Sequence, residues 1–314
     1  MKILFAGSPA IAVPSLEALC NIDGVELVGV LTNPDSPKGR HGKPEPTEAG
    51  ETVLRMGAGT TVLKPEKLDA DAREQVALLK PDLLVSFAYG RIFGPMFLAL
   101  FPLGGINIHP SLLPKYRGPS PVQAAILNRD SVTGISIQTL AKEMDKGDIL
   151  AQEQLQLTGR ETAGSLSGVV AQKAAHMLPE LLKKIANGTA ERNAQNHSEA
   201  SYCPMFSKED GIIDWKQSAP DIDVKIRAFD PWPLCRTIHN GRELIILKAD
   251  VFKGNCQSGT PGMVLGIDKK DGILIQTGNG ILAVTELQYQ AKKALGWRDF
   301  LNGARDFTGL AQLG

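Results

Sequence analysis

The sequence predicts an α/β protein in which a Rossmann-like domain with a mainly parallel sheet is followed by a small C-terminal β-barrel of the oligonucleotide-binding (OB) type. Short β-rich runs alternate with helical segments over the first two-thirds of the 314 residues, as in parallel βαβ units. The composition changes after Gly188, and short strands separated by glycine follow. Several short strands with turn signals between them are typical of a small barrel.

The first domain is predicted over residues 1–189. An amphipathic pattern with one broad apolar face marks its last helix. The predicted strands are Lys2–Ala6, Val25–Thr32, Thr61–Leu63, Asp82–Phe87, Gly105–His109 and Gly134–Leu140. The predicted helices are Val13–Asn21, Asp69–Lys80 and Thr162–Ala186.

The turn Gly7-Ser8-Pro9 joins the first strand to the first helix, which is where dinucleotide-binding folds hold phosphate. It supplies one of the three glycines of the Gly-x-Gly-x-x-Gly fingerprint. A tight turn without a ligand is therefore favoured over an NAD site.

Residues 190–207 are polar, lack an apolar period in their first part, and are predicted to be a linker. Residues 208–314 form the predicted barrel domain. Its first helix, Ser218–Phe229, is expected to be capped by Ser218. The remaining predicted elements are the strands Leu244–Val251, Gly262–Ile267, Gly272–Thr277 and Ile281–Leu287 and the helix Gly296–Leu301.

Composition excludes several classes of protein. Hydrophobic residues make up 43% and charged residues 22%, which argues against disordered, collagen-like and coiled-coil chains. The 34 Lys and Arg residues balance 34 Asp and Glu residues, which excludes coating of nucleic acid by bulk charge but permits a local basic patch. We expect a monomer.

Two further patterns concern the compartment and metals. No apolar run approaches the roughly 18–20 residues that span a bilayer, and the run at Met1–Gly7 is too short for a signal peptide. We therefore expect a cytoplasmic protein without membrane contact. Four scattered cysteines without a Cys-x-x-Cys pair indicate reduced thiols and no metal site.

Asn107 and His109 carry the sharpest chemical pattern. Positions i and i+2 of a strand point to the same side, and Pro110 stops the strand directly afterwards. Both side chains are thus expected at the carboxyl end of a parallel strand, where open α/β sheets bind ligands. An amide that polarises a carbonyl beside an imidazole that exchanges protons suits acyl chemistry. The alternative is a hydrogen-bonded histidine without a catalytic role.

The turn Glu143–Asp148 offers three carboxylates around a glycine. Taken alone, such a turn is usually a solvated loop. Beside an Asn-x-His strand, one of the carboxylates can orient the histidine or accept a proton through a water.

The motif Asn107-x-His109-Pro-Ser-Leu-Leu-Pro114, followed 36 positions after the histidine by Met-Asp145-Lys-Gly-Asp, resembles the folate-dependent formyltransferases. The resemblance implies that Asn107, His109 and Asp145 are catalytic and that 10-formyltetrahydrofolate is the co-substrate, without a metal. It also implies two folate-contacting segments. These are Ser111, Leu112, Leu113 and Pro114, and Phe87, Tyr89, Gly90, Arg91 and Ile92.

Residues 33–44 resemble the inserted basic loop of the methionyl-tRNA formyltransferases, one branch of this family, and the similarity extends along essentially the whole chain. It implies charged initiator methionyl-tRNA as the partner, a role in translation initiation, and catalysis by direct attack of the α-amino group. The expected tRNA contacts are Lys38, Arg40, Lys43 and Lys208. From charge alone, a solvated surface loop is an equally good interpretation.

Two alternatives stay open. Amino-sugar-nucleotide formyltransferases share the barrel and the motif Asp230-Pro-Trp-Pro233. A non-catalytic RNA-binding protein would combine the barrel with a retired enzyme domain, in which damage to the Asn/His/Asp set is expected.

Overall fold

The structure, a computed structural model, describes residues 1–37, 42–57, 59–255, 258–304, 306–307 and 311–314. The chain divides into two compact units. The first unit comprises Met1–Pro121, Val132–Gln156 and Leu166–Pro204, and the second comprises Val122–Ser131, Leu157–Ser165 and Met205–Gly314. A division at a single linker does not anticipate the two short segments of the second unit that lie before residue 166.

Strands and helices are interspersed up to residue 186, and short 3₁₀ turns follow at His197–Glu199 and Glu209–Gly211. In chain order the elements are β1 Lys2–Gly7, α1 Val13–Leu19, β2 Glu26–Leu31, β3 Ser36–Pro37, β4 Pro44–Glu45, α2 Glu48–Met56, β5 Thr61–Leu63, α3 Ala70–Leu78, β6 Leu83–Phe87, α4 Pro95–Leu98, β7 Gly105–His109, α5 Pro121–Leu127, β8 Val132–Thr139, β9 Ile149–Gln156 and α6 Ala163–Ala186.

The first unit contains a seven-stranded sheet in the order β5-β2-β1-β6-β7-β8-β9. The first five strands of this order, β5-β2-β1-β6-β7, are parallel to one another. Strand β8 is antiparallel to β7, and β9 is antiparallel to β8. This confirms the predicted Rossmann-like, mainly parallel sheet. The chain order reverses between β1 and β6, so the carboxyl ends of β1, β6 and β7 meet at the edge where such sheets bind ligands.

The first turn is shaped by close backbone approach. A Cβ added to Gly7 would lie 2.8 Å from the carbonyl oxygen of Phe87, which only glycine avoids. The Ser8 hydroxyl accepts hydrogen bonds from the Thr32 hydroxyl at 3.2 Å and from the backbone N–H of Asn33 at 3.1 Å. The turn after β1 therefore packs against the carboxyl ends of the two neighbouring strands, β2 and β6.

Helix α2 and strand β9 have no counterpart in the sequence prediction. Thr47 caps α2 by accepting the N–H of Gly50 at 3.1 Å, which turns the polar stretch after residue 45 into a helix. Strand β9 lies at the edge of the sheet, and four of its last five residues are glutamine or glutamate. Its many polar side chains conceal its pairing with β8.

Residues 190–204, the larger part of the predicted linker 190–207, belong to the first unit and are hydrogen-bonded within it. Asn193 exchanges backbone hydrogen bonds with Ile149 at 2.8 and 2.9 Å, and the N–H of Arg117 donates to Ser201 at 2.9 Å. The side chain of Gln195 is buried. The polar composition of this segment thus reflects hydrogen bonding to the interior as well as exposure to solvent.

The second unit contains one helix, an antiparallel sheet and a closing helix. Its elements are α7 Ala219–Ala228, β10 Cys235–His239, β11 Arg242–Val251, β12 Val264–Asp268, β13 Gly272–Gln276, β14 Ile281–Tyr289, β15 Leu295–Gly296 and α8 Trp297–Gly303. The strands pair in the order β10-β11-β14-β13-β12, with β15 on β14. Ser218 caps α7 as expected, accepting the N–H of Asp221.

Residues 311–314, called the closing segment below, join the two outer strands of this sheet. Gly314 exchanges backbone hydrogen bonds with Ile238 of β10 at 2.8 and 3.1 Å. On the other side, Val264 of β12 donates to Ala311 at 2.8 Å. Backbone pairing therefore continues from β10 across the sheet to β12 and back to β10 through the closing segment, as in the predicted small barrel.

No helix within the described ranges is long and apolar enough to cross a membrane.

Candidate active site

Strand β7 places Asn107 and His109 at the carboxyl edge of the sheet. Asn107 lies between Ser86 of β6 and Gln138 of β8, and His109 lies opposite Ser136. Directly paired residues of neighbouring strands share a face, so these polar side chains form a patch on one side of the sheet. The structure confirms the predicted strand Gly105–His109 at its full length.

The imidazole of His109 is 4% exposed and is fixed at both nitrogens. Its Nε2 lies 2.8 Å from the carbonyl oxygen of Tyr116. Because a carbonyl only accepts hydrogen bonds, Nε2 carries a proton in this arrangement. The other nitrogen, Nδ1, lies 3.5 Å from Oδ1 of Asp145.

Asp145 meets the histidine from the turn between β8 and β9. Its Oδ2 accepts the backbone N–H of Gly118 at 2.8 Å, and Oδ1 accepts the side-chain amide of Gln138 at 2.9 Å. These two hydrogen bonds fix the position of the carboxylate. The backbone of Asp145 has φ +55°, in the left-handed region that aspartate tolerates better than most residues.

The turn itself is tightly packed. A Cβ added to Gly147 would lie 1.7 Å from the carbonyl oxygen of Thr139, so only glycine fits there. The exposed Glu143 forms an ion pair with Lys146 on the outside of the turn. Of its three carboxylates, Asp145 is the one that faces His109.

The Asn107 amide is half-buried. Within the part of the chain that the structure describes, no hydrogen bond to this amide is found. Its donor hydrogens are therefore available to a ligand at the strand edge.

The first predicted folate segment is fixed by side chains of β8 and β9. The Ser136 hydroxyl donates to the Ser111 carbonyl at 2.7 Å and accepts the N–H of Leu113 at 2.9 Å, and the Gln152 amide donates to the Leu113 carbonyl at 2.8 Å. Ser111 and Leu113 are buried, whereas Leu112 and Pro114 are partly exposed. The Ser111 hydroxyl donates to the Lys115 carbonyl at 2.5 Å, so it serves the loop itself.

The second predicted folate segment begins at Phe87, the last residue of β6, which pairs with Ile108 of β7. Phe87 and Tyr89 are buried, and the ring of Tyr89 stacks on Phe93 at 5.5 Å. Burial raises the pKa of the Tyr89 phenol, against an opposing effect of Arg91, whose guanidinium donates to the carbonyls of Pro65 and Glu66 at 2.8 and 2.5 Å.

The remaining residues of this segment are placed differently. Gly90 has φ +80°, and the side chain of Ile92 is 70% exposed. The aromatic side chains predicted to contact folate thus belong to the core, and the backbone around Gly90 and the exposed Ile92 face outwards.

The predicted tRNA contacts divide into three groups. Lys38 and Arg40 lie outside the described residues. Lys43 is exposed just before β4 in the first unit, and Lys208 is exposed in the second unit.

Sequence reasoning missed three buried polar residues that surround Asp145. They are Arg117, Gln138 and Gln195. None of the three belongs to a motif that indicates chemistry. One glutamine lies in an alternating strand, the arginine lies in a loop, and the other glutamine lies in a polar stretch. Only the fold brings them together. Within the described ranges, no group of three or more His, Cys, Asp or Glu side chains is placed to hold a metal ion.

Comparison with known families identifies the class of protein. Residues 1–182 match the formyl transferase family, and residues 205–305 match the C-terminal domain of formyl transferases. The chain therefore belongs to the formyl transferase family and is an enzyme of formyl transfer.

Curated relatives show which branch of the formyl transferase family this chain is similar to. The chain is 49% identical over 317 residues to the methionyl-tRNA formyltransferase of Treponema denticola, with 98% of each chain covered. It is 42% identical over 310 residues to the methionyl-tRNA formyltransferase of Borrelia duttonii, with 98% of this chain and 99% of that protein covered.

Solved structures share the fold. HypX from Aquifex aeolicus, in complex with tetrahydrofolic acid, matches with a TM-score of 0.67 and 20% identity, over 96% of this chain and 47% of that one. An N-formyltransferase from Helicobacter canadensis, in complex with folinic acid and dTDP-3-aminofucose, matches with a TM-score of 0.65 and 21% identity, over 90% of this chain and 99% of that one.

Proposed function

We propose that this protein transfers the formyl group of 10-formyltetrahydrofolate to the α-amino group of charged initiator methionyl-tRNA, for translation initiation in the cytoplasm. The observation that carries the proposal is that His109, two residues after Asn107 on β7, faces Asp145 on the turn between β8 and β9. Relatives with 40–49% identity over nearly the whole chain are named for this reaction.

The acceptor amine attacks the formyl carbon directly, and no covalent enzyme intermediate is needed. As the tetrahedral intermediate collapses, the bond between the formyl carbon and N10 of the folate breaks, and tetrahydrofolate leaves with a proton on N10 while the acceptor nitrogen gives one up. An α-amino group has a reference pKa of about 7.7–8.0, so a useful fraction is already neutral near pH 7. The protein's main contribution is then to position the reactants and to stabilise the tetrahedral oxyanion.

Each residue of the catalytic set has a distinct part. The Asn107 amide, without a partner within the described ranges, donates to the developing oxyanion. His109 supplies a hydrogen bond or a proton beside it, for which one ring nitrogen must exchange its partner, the Tyr116 carbonyl or Asp145, for the substrate. Asp145 orients the imidazole and accepts the proton of the attacking amine, directly or through a water.

The residues at the strand edge fit a formyl-folate. The loop after β7 is fixed by Ser136 and Gln152, and it follows a strand directly beside the one that leads to Gly90. Partly exposed Leu112 and Pro114 and exposed Ile92 offer apolar surface for the pterin ring, and the folate supplies the formyl group when bound. The first unit is thus the folate-binding catalytic domain in this proposal.

The basic residues 38–43 and Lys208 are proposed to contact the tRNA. Replacing Arg40 or Lys43 by alanine should weaken catalysis with tRNA and leave folate binding intact. Because phosphate contacts release counterions, each such replacement should also reduce the salt dependence of tRNA affinity. Lys183→Ala, which removes an exposed lysine of α6, is the matched control.

The first experiment is formyl transfer by the purified protein from 10-formyltetrahydrofolate to charged initiator methionyl-tRNA. Uncharged tRNA and an amino-sugar nucleotide are the control acceptors. Transfer to methionyl-tRNA alone is expected. Transfer to the sugar nucleotide alone would overturn the proposed acceptor, and transfer to none from a folded, folate-binding protein would overturn the proposed reaction.

A further inference from the structure

We propose that Gln195 is a positioning residue that fixes the carboxylate of Asp145 against His109. This inference rests on the proposed catalytic role of Asp145. Gln195 lies 50 positions further along the chain, in the segment expected to be a linker, and its side chain is buried.

Arg117 holds one end of the Gln195 side chain. The guanidinium is 1% exposed, and its Nε and Nη2 donate to Oε1 of Gln195 at 3.1 and 2.6 Å. It also contacts Nδ1 of His197 at 2.8 Å and the hydroxyl of Tyr202 at 3.3 Å. Because a guanidinium only donates, the oxygen of Gln195 must face Arg117, and the NH₂ group must face away from it.

The NH₂ group of Gln195 holds the turn that carries Asp145. It donates to the carbonyls of Asp145 at 2.9 Å and of Gly147 at 2.7 Å, and it lies 3.2 Å from Oε1 of Gln138. One side chain thus holds the backbone carbonyls on both sides of Lys146. One of them belongs to Asp145, whose backbone is in the left-handed region.

Gln138 links this turn to the carboxylate of Asp145. Its Oε1 accepts the N–H of Gly147 at 3.1 Å, which leaves its amide to donate to Oδ1 of Asp145 at 2.9 Å. The other oxygen, Oδ2, accepts the N–H of Gly118, the neighbour of Arg117. The chain of donors from Arg117 through Gln195 and Gln138 therefore ends on the oxygen that faces His109.

This chain of hydrogen bonds requires an amide at position 195. A glutamate has nearly the same shape and would keep both bonds from Arg117. Its second oxygen, however, would face the carbonyls of Asp145 and Gly147, where only a donor is tolerated. Gln195→Glu thus removes the donor and preserves volume and the Arg117 contact.

The test compares Gln195→Glu with Gln276→Glu, a matched change in the second unit. Gln276 also joins backbone groups, since it accepts from Gly259 at 3.0 Å and donates to Thr277 at 2.8 Å. We expect Gln195→Glu to lower kcat by about tenfold to a hundredfold, as misplacement of a catalytic group does, with KM for both substrates changed less than threefold. Gln276→Glu should keep kcat within about twofold. An unchanged kcat in a folded Gln195→Glu protein would overturn the inference.

A second variant and a double-mutant cycle separate positioning from general destabilisation. Gln138→Met keeps the volume, removes the donor to Asp145, and should lower kcat similarly. In an Asp145→Asn background, the effect of Gln195→Glu on kcat should largely disappear. If the two effects simply multiply, Gln195 does not act through Asp145 and this inference fails alone. If Asp145→Asn retains full kcat, the proposed catalytic role itself fails.

Discussion

Nδ1 of His109 lies 3.5 Å from Oδ1 of Asp145, while Nε2 of the same ring donates to the Tyr116 carbonyl at 2.8 Å. The imidazole is thereby held between the Tyr116 carbonyl, which only accepts hydrogen bonds, and the Asp145 carboxylate. The N–H of Gly118 and the amide of Gln138 fix the position of that carboxylate. In this arrangement the neutral ring presents its lone pair to Asp145, and the protonated ring forms an ion pair with it.

Replacing Asp145 by asparagine should remove this partnership with little loss of fold. We expect kcat to fall by about 10²–10⁴, the usual range for a group in acid–base catalysis, with KM for folate nearly unchanged. Nitrogen-15 NMR of His109 should show a proton on Nε2 in the wild type. Glu143→Gln, on the outer side of the same turn, is the control and should keep kcat within about twofold.

Asn107→Ala should remove the donor to the oxyanion. Loss of one such donor typically costs about 10²–10³ in turnover, and we expect that loss in kcat at saturating substrates. Folate affinity, measured by quenching of protein fluorescence, should change little. Near-normal turnover would contradict the oxyanion role. Asn21→Ala, on an exposed turn, controls for the substitution.

Gly147→Ala should disrupt the turn that carries Asp145. The new methyl group would overlap the carbonyl oxygen of Thr139, and relief of this overlap must move one of the two backbones. We expect a loss of about 2–3 kcal/mol in the free energy of unfolding together with a large loss of kcat. Gly168→Ala, exposed on α6 with open space at its Cβ, should be neutral or stabilising. Equal behaviour of the two variants in denaturant titrations would contradict the packing argument.

The thiol of Cys235 predicts an alkaline dependence of stability. Burial raises its pKa from 9.0 to about 12, so the folded state binds this proton more tightly than the unfolded state. Its stabilising contribution is fully present below pH 9 and is lost as pH rises towards 12, by about 1.4 kcal/mol per pH unit. The free energy of unfolding should therefore fall more steeply above pH 9 in the wild type than in Cys235→Ser. A difference between the two proteins that stays constant from pH 8 to 10.5 would rule this out.

Local patterns account for the part of the site that the sequence predicts. Asn107 and His109 share a face because side chains alternate along a strand, and Pro110 fixes where that strand ends. The assignment of Asp145 among three carboxylates came instead from the resemblance to a family. The structure places it facing His109.

Long-range packing accounts for what the sequence does not predict. Tyr89 follows a strand whose apolar run ends at Phe87, and nothing local shows that its ring enters the core against Phe93. Gln195 lies in a polar stretch whose burial depends on Arg117, 78 positions away. Such contacts have no period and no short spacing in the chain.

The closing segment has a consequence for association between molecules. An outer strand with free backbone N–H and C=O groups is a template on which another chain can pair. Ala311 and Gly314 supply hydrogen-bond partners to both outer strands of the C-terminal sheet. Deleting residues 311–314 would thus open one gap between β10 and β12 with unpaired backbone groups on both sides, and an extended strand of another molecule can insert there.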